Sequence, residues 1–200
     1  MMSLLMGKMM RIIEKPIISR EVMEMPLFPC FKIDLSKSVN NLIQQFIDVR
    51  PTQNWLLLAD YAAQTQQQLW TAWVLCQRAF EQNRALARSI DAEFLRYIAA
   101  THHVSEAFKK VGISDNHGYA WIVNLPEYEN VNGEMVPILD DDKTAAIVDN
   151  LCKKLDLSLI DGIPELTVHG LNKLGLKVDV ISENTGDLLV GLTISTELNS

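Results

Sequence analysis

The chain has 200 residues, 48% hydrophobic and 22% charged, with a formal net charge of −7; this excludes disorder by composition and suits one domain, or one domain with an extension. The acidity argues against a protein that coats nucleic acid indiscriminately, while leaving room for a local basic face. Cys30, Cys76 and Cys152 offer neither zinc spacing nor a disulfide framework and point to a reducing compartment, and no apolar run is long enough for a membrane span.

In chain order, the opening MMSLLMGKMMRII is apolar but lacks a signal-peptide cleavage site and the basic residues of a transit peptide. Residues 1–27 are read as a poorly ordered or loosely packed N-terminal extension, and residues 28–200 as the domain. Phe31, Ile33 and Leu35 alternate with Lys32 and Asp34, the pattern of a half-buried strand. Ser36 or Ser38 is a candidate cap for a helix with Val39, Leu42, Ile43, Phe46 and Ile47 on its apolar face. After a loop at Arg50–Asn54, the continuous apolar run Trp55–Ala59 predicts a central strand covered on both faces. A long helix is predicted over Ala62–Asn83, with Leu69, Ala72, Trp73, Cys76, Ala79 and Phe80 facing the core.

The stretch from Ser89 to Leu125 carries the most information. Ser89 is a suitable N-cap, Asp91 and Glu93 place negative charge in the first turn, and Phe94, Leu95 and Ile98 form an apolar stripe. Thr101-His102-His103 interrupts that pattern, and a second helix starts near Val104. Lys109 and Lys110 fall in its last turn, and Gly112 is expected in the left-handed position of a Schellman stop. Tyr119–Leu125 reads as a strand and Pro126–Pro137 as a polar loop turning at Asn132-Gly133. Asp140-Asp141-Asp142 opens an amphipathic helix through Thr144, Ile147, Val148, Leu151 and Leu155; adjacent aspartates at a helix start point in different directions, which favours capping over metal binding. A short helix over Leu166–Leu174 ends at Gly175. The segment Asp187–Leu192 is helix or strand on local grounds, because Gly191 and its β-branched neighbours oppose a helix.

The sequence holds no Walker loop, G-x-G-x-x-G, G-x-S-x-G or H-E-x-x-H. Cys76 lies on a predicted core face and reads as a packed thiol. Asp60, after a strand, suits either a helix cap or a catalytic carboxylate. His102 and His103 have no acidic or cysteine partner close in sequence and read as surface groups of a polar turn. No catalytic residue, metal or cofactor is assigned.

The run Val104-Ser105-Glu106-Ala107-Phe108-Lys109-Lys110-Val111-Gly112-Ile113-Ser114 resembles the signature of the PRPK-binding protein family, the small accessory subunit of the KEOPS (EKC) complex. Members carry a Glu at the position of Glu93, a basic residue at that of Arg88, a short polar turn, and an Ile-Ser-Glu-Ala-like helix ending in Gly-Ile. The resemblance is good over 60–125, looser over 28–54 and weaker near the C-terminus, where Val190 and Gly191 replace Asp and Ala of a terminal Leu-Leu-Asp-Ala helix.

The resemblance implies a single α/β (α+β) domain with a mixed central sheet packed against several helices, and no enzymatic activity. It implies binding to, and stimulation of, the complex's small PRPK-type atypical kinase, indirect association with the remaining KEOPS subunits, and recruitment of tRNA for N6-threonylcarbamoyladenosine (t6A) modification. Leu171, Leu174, Leu188, Leu189 and Leu192 are the expected kinase-binding residues. Arg84, Arg88, His102, His103, Lys109 and Lys110 are the expected tRNA-binding residues, with His able to stack on a base. The expected location is the cytoplasm, and also the nucleus in a eukaryote. The competing reading is a small α/β metabolic enzyme, which requires convergent His, Cys and carboxylate groups in one pocket.

Overall fold

The structure, a computed structural model, describes residues 25–36, 41–114 and 118–198. Elements follow in the order β1 (Cys30–Asp34), α1 (Leu42–Val49), β2 (Trp55–Ala59), a single 3-10 turn (Asp60–Ala62), α2 (Gln66–Glu81), α3 (Ile90–Ala99) and α4 (Val104–Val111). After these come β3 (Tyr119–Asn124), β4 (Tyr128–Val131), β5 (Glu134–Pro137), α5 (Asp141–Leu155), β6 (Ser158–Leu159), α6 (Val168–Leu174) and α7 (Thr185–Leu198). The predicted extension falls almost entirely on residues outside those described, as do Ser38 and Val39 of the first predicted helix.

The main sheet has the order β2-β3-β1-β6, and its pairings are antiparallel. Alternation along the strands divides the core in two. Leu56, Leu58, Trp121 and Val123 face a cluster completed by α2, α3, α4 and α6 with Leu189 of α7. Leu57, Ala120, Ile122 and Ile33 face α1 and α5. The result is a single α+β domain of helix, sheet and helix layers.

Several expectations need correction. Strand β2 is covered on both faces, as its apolar run predicts, but it lies at the edge of the sheet rather than its centre. The predicted polar loop contains a hairpin. Asn132 and Gly133, at φ 54° and 87°, form the two-residue turn that suits a twisted ribbon, and Tyr128–Val131 pairs with Glu134–Pro137. Helix α2 begins at Gln66 rather than Ala62, because Thr65 accepts a hydrogen bond from the Gln68 N–H and fixes the start. Asp60 is no helix cap; its carboxylate pairs with Lys32 at 3.0 Å. On α1, Leu42 and Phe46 are buried, but Ile43 and Ile47 face outward.

Gly112 has φ −72°, so the expected left-handed stop is absent there. The glycine is needed for a different reason: a Cβ would collide with the Phe108 carbonyl oxygen one turn back. Left-handed stops occur instead at Asn83, Ala100, Asp156 and Gly175, after α2, α3, α5 and α6. At Ala100 the next N–H, of Thr101, reaches the Arg96 carbonyl at 3.1 Å, the long bond of a Schellman motif. Gly175 and Asn83 follow the residue preference that sequence reading relies on; Ala100 and Asp156 do not.

Candidate docking surface and basic residues

Helix α3 is buried from Asp91 through Ala99 although it carries three charged side chains. Arg96 meets Glu93 at two points, Nη2 to Oε1 at 2.7 Å and Nε to Oε2 at 3.2 Å, and both side chains are almost fully out of water. Their spare valences reach the flanking segments. Glu93 Oε2 accepts the Ala87 N–H at 2.7 Å, and Arg96 Nη1 donates to the Thr101 carbonyl at 2.8 Å. The pair therefore fixes the segment carrying Arg84 and Arg88 and the turn carrying His102 and His103. At the start of the helix, Asp91 binds Arg50 at 2.6 Å, and Arg50 also donates to the Trp55 carbonyl. The expected dipole role of Asp91 and Glu93 is thus secondary to buried pairing.

The six expected tRNA-binding residues do not form one compact patch. Arg84 and Arg88 precede α3 while His102 and His103 follow it, so the ten residues of the helix separate them by about 15 Å. Arg84 is exposed but pairs with Glu197 at 3.2 Å, and Arg88 is exposed. His103 stands exposed at the start of α4, where its carbonyl accepts the Glu106 and Ala107 N–H groups; His102 is half-buried. The side-chain contact at this helix start comes from Thr101, whose hydroxyl donates to Glu106 at 2.7 Å. Lys109 is exposed. Lys110 turns inward and donates from Nζ to the Ala99 carbonyl at 2.7 Å, and its half-burial lowers its pKa against the opposing influence of Glu106.

The five leucines separate into two groups. Leu171, Leu174 and Leu189 are core residues. Leu188 is 55% exposed and Leu192 is half-buried one turn further on. The C-terminal segment is helical, because α7 packs along α2 and α3 and this contact outweighs the local cost of Gly191. Its inward side is Thr185, Leu189, Thr193 and Thr196, and its far end is held by Glu197, which accepts from the Tyr97 hydroxyl at 2.6 Å. Burial, followed by that carboxylate, raises the Tyr97 pKa. Sequence reading missed Ile194, which is 41% exposed and continues the outward row from Leu188; the clue was the three-residue spacing of Leu188, Gly191 and Ile194.

A cleft of about 300 Å³ opens where Asn54, Trp55, Asn124, Pro126 and Ile138 meet Lys143 near the start of α5. Among the described residues, no three His, Cys, Asp or Glu side chains converge in a way that could hold a metal ion. Burial, reinforced by Glu93 and Asp91 against Arg96, pushes the Cys76 thiol up; burial and then Asp149 push Cys152 up to about 11. Both are protonated at neutral pH, the inert form of a thiol. Among the described residues, no helix is long and apolar enough to cross a membrane.

The family model for kinase binding protein CGI-121 matches residues 34–186. The matched stretch begins at the last residue of β1, contains the other strands, helices α1 to α6 and the buried ion pair, and ends at the second residue of α7. A search of curated proteins returned no match.

Proposed function

Because the chain belongs to the kinase binding protein CGI-121 family, we propose that it is a non-catalytic subunit of the KEOPS (EKC) complex. In this role it binds the complex's small PRPK-type atypical kinase, stimulates its ATPase activity and helps recruit tRNA for t6A modification. The family match is the observation that carries this reading. The exposed apolar side of α7 supports it, since unpaired apolar side chains on a short, fixed helix suit docking into a partner's groove. Arg88, His103 and Lys109 are exposed and form no ion pair among the described residues, whereas Arg84 pairs with Glu197. The proposed location is the cytoplasm, with the nucleus added in a eukaryotic cell.

The test is reconstitution. The purified chain and the kinase should co-elute, ATP hydrolysis by the kinase should rise on addition of the chain, and omission of the chain should reduce t6A formation by the assembled complex. A chain that neither binds the kinase nor alters its ATPase rate would refute the proposal.

A further inference from the structure

We propose that Gly191 is a contact point for the kinase, a gap in the outward row of α7 that receives a bulky apolar side chain of the partner. The proposal rests on the reading of α7 as the docking face.

Glycine is among the least favourable residues in a helix interior, and the fold normally supplies a reason for one. At Gly112 a Cβ would strike the Phe108 carbonyl, at Gly170 it would strike the Gln64 side chain and the Tyr61 carbonyl, and Gly175 has φ +100°. Gly191 has no such internal reason. It lies in the middle of the 14-residue α7, it is not among the residues with positive φ, and a Cβ there would meet no heavy atom within 4 Å. Gly186 is equally open but sits in the first turn, where helical hydrogen bonding is incomplete in any case.

Gly191 also occupies a particular place in the row. Leu188, Gly191 and Ile194 follow at three-residue steps, which on a helix surface makes one ridge. Both ends of that ridge are exposed aliphatic side chains, at 55% and 41%, and its centre is bare backbone. Such a gap accepts a knob from a facing surface, and its walls of Leu188 and Ile194 select an apolar one. A methyl group added at Gly191 enters the gap without meeting any atom of the chain within 4 Å.

The experiment measures affinity of the full chain for the purified kinase, alongside thermal unfolding, for Gly191→Ala and Gly191→Leu. Ala146→Leu, on the exposed surface of α5, serves as a control for added apolar surface. Both Gly191 variants should unfold at or above the parent's temperature. Binding should weaken in order of side-chain size, with a loss of about tenfold or more for Gly191→Leu, the scale of a central interface residue. Ala146→Leu should bind as the parent does. If Gly191→Leu binds within about threefold of the parent while Leu188→Glu with Leu192→Glu does not bind, the gap has no role and the docking face stands. If the double glutamate variant binds as the parent does, the docking face fails and this proposal fails with it.

Discussion

Glu93 and Arg96, one turn apart on α3, share two hydrogen bonds in a site that excludes water and connect the segment before the helix to the turn after it. Removing one partner leaves the other charged and buried. Glu93→Gln is therefore expected to cost roughly 3–5 kcal/mol, much more than the loss of a first-turn carboxylate at a helix start. Glu93→Gln with Arg96→Met should recover part of that loss, because removing both charges leaves neither one stranded. Urea titration of the two single variants and the double variant gives the coupling; equal, additive losses of a few tenths would refute it.

Gly170 is predicted to be among the least replaceable glycines of the described chain. An added Cβ would lie 2.6 Å from the Tyr61 carbonyl oxygen and closer still to the Gln64 amide, which itself accepts the Thr167 N–H at 2.7 Å. Gly170→Ala should cost about 1–3 kcal/mol, the usual range for overpacking. Gly112→Ala should fall in the same range, because the obstacle is the Phe108 carbonyl rather than the backbone angle. Thermal unfolding of both checks this, with Gly191→Ala as the stabilised comparison.

Leu188→Glu with Leu192→Glu should leave the domain folded and abolish binding to the kinase, since a central interface anchor contributes ~2 kcal/mol or more. Leu189→Glu, which buries a carboxylate in the core, should instead unfold it. Circular dichroism and a pull-down on the same preparations separate the two outcomes. A folded double variant that still binds would remove α7 from the interface.

Alkaline pH should destabilise the protein. The folded pKa of Cys76 lies well above its ordinary value of 9.0, and that of Tyr97 above its ordinary 10.0. In each case the folded state holds a proton that the unfolded state releases, so the contribution is complete below the ordinary value and declines as pH rises through and beyond it. Above pH 9 the Cys76 thiol alone should contribute a slope of about 1.4 kcal/mol per pH unit until its folded form ionises. Denaturant titrations between pH 8 and 11 should show this slope, and Cys76→Ala should make it shallower.

The elements that the sequence disclosed are those with a strong period or a continuous apolar run. The strands at Phe31–Leu35, Trp55–Ala59 and Tyr119–Leu125 and the helices around Ala72, Leu95 and Leu151 were all legible for that reason. The hairpin at Asn132-Gly133 was not, because its strands are only four residues long and largely exposed, leaving only the turn as a signal. The left-handed stops at Ala100 and Asp156 were hidden because residues other than glycine or asparagine hold that position. The Glu93–Arg96 pair was visible only as a three-residue spacing inside an otherwise apolar helix, and spacing alone cannot show that both charges leave water. Helix α7 was ambiguous locally because its form depends on packing against α2, a long-range contact. For the same reason sequence could not divide the five leucines between core and surface.

The two ends of the sheet have a consequence for behaviour at high concentration. Strand β2 lies at one edge but is wholly buried, with the Trp55 carbonyl already occupied by Arg50, and β6 at the other edge has only two residues. The hairpin β4–β5 is also short, and it carries Glu129, Glu134 and Pro137. None of these offers a foreign strand a long, flat row of backbone groups to pair with. While the domain remains folded, it should resist edge-to-edge polymerisation and fibril growth, even when overproduced without the partner that would cover α7.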